Sequence, residues 1–341
     1  MTTPTDPVVG VDVGASTISA GLVCPDGTVL ATTQAPTQGG GSVVDTIITL
    51  TDRVLALAGA RGLRVSGIGV GLPGLVDVEK GSMRSMPFAW LTDLGDVPLA
   101  SLIHARSGRP VFVDNDVNAL ALGEWMFGSG RGVASLVTVA IGTGVGGGVI
   151  LDGRLVRGHR GSAGEIGHVA VSLAGPRCVC GNAGCLATYV AGGMMAERAR
   201  ERLARYPDSA VLAGTGGDPE RISAGRLFEA AAGGDALARE VVDEACEALG
   251  MAIGALVTLL NPEVIVITGG VAASLGPLQH DILCRARRRG LAAAVDATTV
   301  HVVAADKRAT VRGGAALVLY EMAERSQDIP HRPSRSGERA G

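Results

Sequence analysis

The sequence lacks any long uninterrupted apolar run. Its longest apolar stretches, such as residues 135–151, are broken by glycines and fall far short of the ~20 continuous apolar residues a spanning helix needs, so no membrane partner is expected. It also lacks an excess of either charge. With 30 Lys and Arg against 33 Asp and Glu, the net charge of −3 excludes a polycation that coats nucleic acid, and no nucleic-acid partner is expected. Lysine is nearly missing, since Lys80 and Lys307 are the only two. That bias fits genomic base composition and points to no function. Residues 1–7 lack the basic start and apolar run of a secretion signal, so the expected compartment is the cytoplasm, where disulfides do not persist.

What is present is enough for two compact units. The chain has 341 residues, against the usual ~150 per domain, and a hydrophobic share of 47% excludes a disordered polymer. Glycine is abundant, with 51 residues, roughly twice the ~7% average, and the excess gathers at strand ends. The spacing predicts a strand over 8–13 ending at Gly14, a second over 18–23, a turn at Pro25-Asp26-Gly27 and a third over 28–33. Helix 43–58, strand 65–70, helix 99–106, strand 111–113 and a helix from Asp116 to Phe127 follow.

The opening pattern then returns, with strand 136–141, a glycine turn, strand 147–151, an Asp152-Gly153 turn and strand 154–157. Gly14 matches Gly142, Gly21 matches Gly148, and Asp26-Gly27 matches Asp152-Gly153. Two similar α/β units, each opening on a hairpin with a glycine-rich first turn, imply a cleft in which both turns face one ligand. Further helices are expected at 186–206, 224–232, 236–260 and 274–288, strands at 264–268 and 300–303, and a last helix after Arg312-Gly313-Gly314. The expected division is a small lobe of 1–117, with the helix at about 312–325 packing back on it, a large lobe of 118–311, and a polar tail of 326–341.

Asp12 stands at the end of a buried strand, beside Gly14-Ala15-Ser16-Thr17. It can hold Mg²⁺ near phosphates cradled by backbone N–H groups, or merely cap a tight hairpin. The run from Gly142 to Gly148, with Thr143 and Gly144 inside it, lowers stability unless backbone must approach a ligand closely, which favours phosphate binding. His168 with Cys178, Cys180 and Cys185 supplies one imidazole and three thiolates, the set that closes a structural zinc site with no position left for water. Cys24, Cys246 and Cys284 read as buried fillers. Asn115-Asp116 follows a strand and starts a helix, so Asp116 is either a general base or part of an N-cap. Glu165 can orient a polyol or simply be solvated.

The order of these motifs resembles the ROK family of bacterial sugar kinases and sugar-responsive repressors over residues 8–322. Residues 164–185 resemble its zinc-containing signature, supported by the two phosphate loops, by Val113-Asp114-Asn115-Asp116-Val117-Asn118-Ala119 and by Gly269-Gly270. The resemblance implies an α/β, duplicated ribonuclease-H-like (actin-like ATPase) fold of two lobes with a cleft between them. It implies transfer of the γ-phosphoryl of ATP to a hexose hydroxyl, usually on carbon six, with Asp116 as base. Asp12 would hold Mg²⁺, while Gly14, Ser16, Thr17, Gly142, Thr143 and Gly144 line the phosphates. Gly71, Asn115, Glu165 and His168 would meet the sugar, and Gly269, Gly270 and Gly313 would border the nucleoside. Zinc on one His168 nitrogen would leave the other for a sugar oxygen. Family members are often dimers or tetramers, so a homodimer or homotetramer is expected.

Two motif positions depart from the family pattern. Ala187 stands where a glutamate commonly accepts sugar hydroxyls, and Ala15-Ser16-Thr17 stands where Gly-Thr-Lys is usual. The first departure makes an amino sugar such as kanosamine or N-acetylmannosamine a rival to glucose; the second predicts weaker ATP affinity. A family repressor carries a helix-turn-helix upstream of the first strand, and only seven residues precede Val8 here, which argues against that reading. A non-catalytic sugar-binding protein is the third reading.

Overall fold

Val8–Val13 (β1) is almost wholly buried and runs antiparallel to Thr17–Val23 (β2), which in turn pairs with Val29–Pro36 (β3). The turn between β2 and β3 is set by the Asp26 carboxylate, which accepts the Thr28 N–H at 2.8 Å, and by Gly27 at φ 87°. Val43–Ala60 (α1) starts where the Ser42 hydroxyl accepts the Asp45 N–H and buries its apolar stripe on the sheet. Ile68–Leu72 (β4) lies parallel to β1, and Val111–Asn115 (β7) parallel to β4. Between them come a small hairpin, Leu75–Asp77 (β5) with Ser82–Ser85 (β6), and Leu99–Ser107 (α2). Asp116–Phe127 (α3) then leads to the second unit. This computed structural model describes residues 6–38, 41–85 and 89–326, so the tail expected over 326–341 lies outside the described residues except for Ser326, which ends the last helix.

The second sheet is built from Leu136–Ile141 (β8), Val145–Leu151 (β9), Arg154–Leu155 (β10), Val264–Thr268 (β11) and Thr299–Val302 (β12). Its helices are Ala187–Val190 (α4), Gly192–Arg202 (α5), Ala210–Ala213 (α6), Ala224–Ala232 (α7), Ala236–Leu260 (α8), Ala272–Leu275 (α9), Gln279–Arg289 (α10) and Ala292–Ala297 (α11). Lys307–Ser326 (α12) ends the described chain. The first sheet is ordered β3-β2-β1-β4-β7 and the second β10-β9-β8-β11-β12, each an antiparallel meander extended by two parallel strands. The repeat expected from the turns is therefore a repeat of topology. It also holds in register: Gly21 pairs with Gly10 and Gly148 with Thr138, and these partners stand equally far ahead of Gly14 and Gly142.

Several elements depart from their expected bounds: the strand expected over 65–70 lies at Ile68–Leu72, the helix expected over 274–288 is split into α9 and α10, and three further departures have a visible cause. The helix foreseen over 186–206 breaks at Ala191 (ψ 136°), where the Gly192 N–H turns to donate to the Gly142 carbonyl at 2.9 Å. Strand β10 stops at Leu155 and leaves Arg157 outside the ladder. The last helix starts at Lys307 and carries Gly313 and Gly314 in its interior, because small residues there let it press onto backbone. A Cβ on Gly69 would lie 2.0 Å from the Gly314 carbonyl oxygen.

One apolar cluster surrounds the first sheet, and a second joins the other sheet to α8. A third draws on both sheets and on α12, with Val8, Phe112, Leu136, Val266, Leu317 and Tyr320 among its members. Among the described residues, no helix is long and apolar enough to cross a membrane.

Candidate functional site

The carboxyl ends of β1, β4 and β7 bring Asp12, Gly71 and Asp114 into one row, because Asp12 pairs with Gly71 and Gly71 with Asp114. Asn115 and Asp116 follow as β7 becomes α3. The Asn115 side-chain oxygen accepts the N–H groups of Val117 (2.9 Å) and Asn118 (3.0 Å), while its amide nitrogen donates to the Gly74 carbonyl at 3.1 Å. Asn115 is thus the N-cap, with one side-chain N–H left over, and Asp116 is released to be the first helical residue. A Cβ on Gly71 would sit 3.1 Å from the Asp116 Cα, a tight approach, so a larger residue there would push on the turn that carries Asp116. Burial, and next the negative charge of Asp12, push the Asp116 carboxyl up to about 8; Glu165 adds to the rise and the Val117 N–H opposes it.

Across from Asp116, α3 packs on β9. The glycine run divides into two parts there. A Cβ on Gly146 would meet Val117 at 2.6 Å, one on Gly147 the Gly164 carbonyl at 2.6 Å, and one on Gly148 the Val117 carbonyl at 2.7 Å. These three are required for packing. Gly142 and Gly144 face open space, so they are the part of the run free to meet a ligand. Only residues 142–144 of the run, with Thr143 exposed between the two glycines, are thus open to a phosphate, and the rest of the run is taken up by packing.

The Gly142 turn is tied to its surroundings by backbone. Its N–H donates to the Gly144 carbonyl at 2.9 Å, and the Ile141 carbonyl accepts from Val271 at 3.0 Å. Gly269, at φ 105°, rests directly on Ile141, with the exposed Gly270 beside it. The first turn is closed by the Gly14 N–H donating to the Thr17 carbonyl (3.1 Å), and Thr37 braces it by donating from Oγ1 to the Gly14 carbonyl (2.7 Å). Ser16 is exposed at its tip, and Thr17 opens β2. Gly313 does not join these loops. It is buried where α12 crosses α3, 2.9 Å from backbone of Ala119 by its would-be Cβ, and the expectation that it borders a nucleoside is corrected accordingly.

Gly164 to His168 packs on β9, and Glu165 and His168 emerge from it. The Glu165 carboxylate lies 4.0 Å from His168 Nε2. The opposite ring atom, Nδ1, is 3.5 Å from the Cys178 sulfur, and Cys180 and Cys185 bring their sulfurs within 3.7 Å of each other. The ligand atoms of all four residues lie within 4.8 Å of one another. A tetrahedral zinc with Zn–S of ~2.3 Å needs sulfurs about 3.8 Å apart, so the spacing suits that ion. The Asn182 backbone N–H, followed by the neighbouring thiols, pulls Cys180 down to about 7, while burial pushes Cys185 up to about 12. Ala187 opens α4 two residues beyond Cys185.

Asp114 stands in the motif of residues 113–119 without an expected role, and neither Arg157 nor Glu321 was expected at the site. The buried Asp114 carboxylate accepts from Arg157 Nε at 2.6 Å, and Arg157 Nη2 donates to Glu321 at 2.5 Å. No local signal exposes this triad, since its members are scattered along the chain.

Comparison with known proteins agrees with this arrangement. The family model described as ROK matches residues 8–321. The glucokinase of Thermotoga maritima is 36% identical over 280 residues, covering 81% of this chain and 87% of that protein. A ROK family glucokinase from Streptomyces griseus, solved with glucose and AMPPNP, superposes with a TM-score of 0.72 at 31% identity, covering 91% of this chain and 98% of that one. A ROK family transcriptional regulator, a homologue of the Escherichia coli Mlc protein, superposes with a TM-score of 0.80 at 31% identity, over 94% of this chain and 80% of its own. Two sheets of one topology, doubled around α3 and α12, are the actin-like ATPase fold, and with the match running through every element from β1 to α12 the chain belongs to the ROK family.

Proposed function

We propose that this chain is a sugar kinase that transfers the γ-phosphoryl group of ATP to the carbon-six hydroxyl of a hexose or aminohexose. The observation that carries this reading is Asp116, held at the start of α3 with its carboxyl pushed up to about 8 and with Asp12 and Glu165 near enough to act on it. A base of that character suits a neutral-pH proton transfer from an alcohol. The sugar oxygen forms a bond to the γ-phosphorus, the bond from that phosphorus to the β,γ-bridging oxygen breaks, and the hydroxyl proton passes to Asp116. Positioning and charge neutralisation carry most of the rate in such a transfer.

Asp12 would hold Mg²⁺ beside the phosphates, a role its proximity to a second carboxylate fits because a cation removes their repulsion. The exposed tips of the two turns, Ser16 in one and Thr143-Gly144 in the other, offer backbone and hydroxyl donors to phosphate oxygens. Zinc on His168, Cys178, Cys180 and Cys185 would be structural: four ligands leave no open position. With Nδ1 turned to the sulfurs, Nε2 and the Glu165 carboxylate remain for sugar hydroxyls. Asn115 contributes at most its remaining side-chain N–H.

Glucose is the reference substrate, and Ala187 makes an amino sugar the rival. A hydrogen bond to a charged group is worth roughly 1.5–3 kcal/mol, enough to redirect selectivity without touching the phosphoryl chemistry. The test is ADP formation by zinc-replete protein over a panel containing glucose, kanosamine and N-acetylmannosamine. Turnover with one of them, abolished in Asp116→Ala, supports the reading; no sugar-dependent ADP from the native chain sinks it. A second reading, a non-catalytic sugar sensor, is favoured by Thr17 in place of the usual lysine and by the likeness to the regulator. It expects calorimetric sugar binding without ATP turnover.

A further inference from the structure

We infer that Arg157 is a positioning residue that fixes the base Asp116 against the segment carrying Glu165 and His168. The inference rests on the kinase reading above. Arg157 lies just past β10, in the second unit, and its guanidinium reaches across to two other parts of the chain. Nε donates to Asp114 at 2.6 Å and Nη2 to Glu321 on α12 at 2.5 Å, while the guanidinium carbon sits 5.8 Å from the Tyr320 ring centre. The Tyr320 hydroxyl accepts the Leu155 N–H at 3.1 Å, so α12 grips this strand end by side chain and by backbone.

Asp114 is the link to the base. It is 2% exposed, and its carboxylate also accepts the Asn118 side-chain N–H at 3.0 Å and the Asn115 backbone N–H at 2.7 Å. Those two donors lie on either side of Asp116, so the position of the Asp114 carboxylate dictates how β7 turns into α3. On its other side Arg157 acts through backbone. Its carbonyl accepts the Ala163 N–H at 3.1 Å and closes the loop that delivers Gly164, which is pressed against the Gly147 carbonyl, and then Glu165. One residue thus holds the base-bearing turn by its side chain and the sugar-facing segment by its main chain. The planar fork is suited to this, since a lysine offers a single charged point and cannot span two carboxylates in the same way.

Steady-state kinetics on Arg157→Ala and Glu321→Gln, with melting temperature and zinc content measured alongside, test the assignment. Displacing a reacting group by a fraction of an ångström to 1 Å costs up to about 100-fold, so kcat of Arg157→Ala falls about 10- to 100-fold with ATP KM within about threefold of native. Added guanidinium ion restores part of that kcat. A purely structural arginine would lower the melting temperature and leave kcat per folded molecule unchanged; kcat within about twofold of native overturns the assignment. Should Arg157→Ala fail to fold, Glu321→Gln decides: a lowered kcat at constant ATP KM supports the role, and an unchanged kcat overturns it. An inactive native chain would instead bring down the kinase reading itself, which is a distinguishable result.

Discussion

At Asp116 two requirements conflict. A carboxylate that takes a proton from an alcohol is best kept away from water and close to the reacting phosphate, yet burial and the nearby Asp12 both resist its ionisation. The folded group therefore binds a proton up to about pH 8, whereas the same side chain released by unfolding gives it up near 3.8. Between those values the native state holds more protons than the unfolded one, so stability falls as pH rises through the window. In metal-free protein the melting temperature should decline from about pH 4 toward pH 8 in the native chain and much less in Asp116→Asn, which should melt higher than native at pH 8. The same substitution should lower kcat by roughly 10²–10⁴. Parallel melting curves for the two proteins across this range would show that the half-buried Asp116 carboxyl does not titrate in this way.

The zinc-type segment and the glycine turns work as elements, and their substitutions read differently. Chelation that empties the His168, Cys178, Cys180 and Cys185 cluster should raise the sugar KM more than the ATP KM, because the ring nitrogen opposite the sulfurs stands beside Glu165. In the emptied protein Cys180, exposed and drawn down to about 7, should be alkylated before the buried Cys246, which burial raises to about 12. Equal effects on both KM values would separate this segment from the sugar, and alkylation of Cys180 at the same rate with and without chelator would show that its sulfur holds no metal. Much at this scale was readable in the chain. The meander and its repeat announce themselves through Asp-Gly turns and glycine spacing, and the cysteine trio through its density. The break at Ala191 and the early start of α12 were hidden, because a backbone bond to Gly142 and close packing on Gly69 overrule local helix preference. Arg157 was invisible for the same reason: its partners, Asp114 and Glu321, come from β7 and α12.

Over the whole molecule, the two sheets share more than a strand order. The third apolar cluster takes Val8 and Phe112 from the first sheet, Leu136 and Val266 from the second, and Leu317 and Tyr320 from α12, so neither unit completes its core alone. Helix α12 lies across β1 and β4, where a Cβ on Gly10 would fall 1.9 Å from the Val311 carbonyl oxygen, and the same helix reaches β10 through Tyr320. Separating the units would expose this apolar surface on both sides, at roughly 25 cal/mol per Å². Calorimetry should therefore record one unfolding transition for both units, and Gly10→Ala, which forces α12 off the first sheet, should lower that single transition rather than split it. Two resolved transitions in the native chain, one of them untouched by the substitution, would mean that the units are held together only by the chain between them and that the shared cluster contributes little.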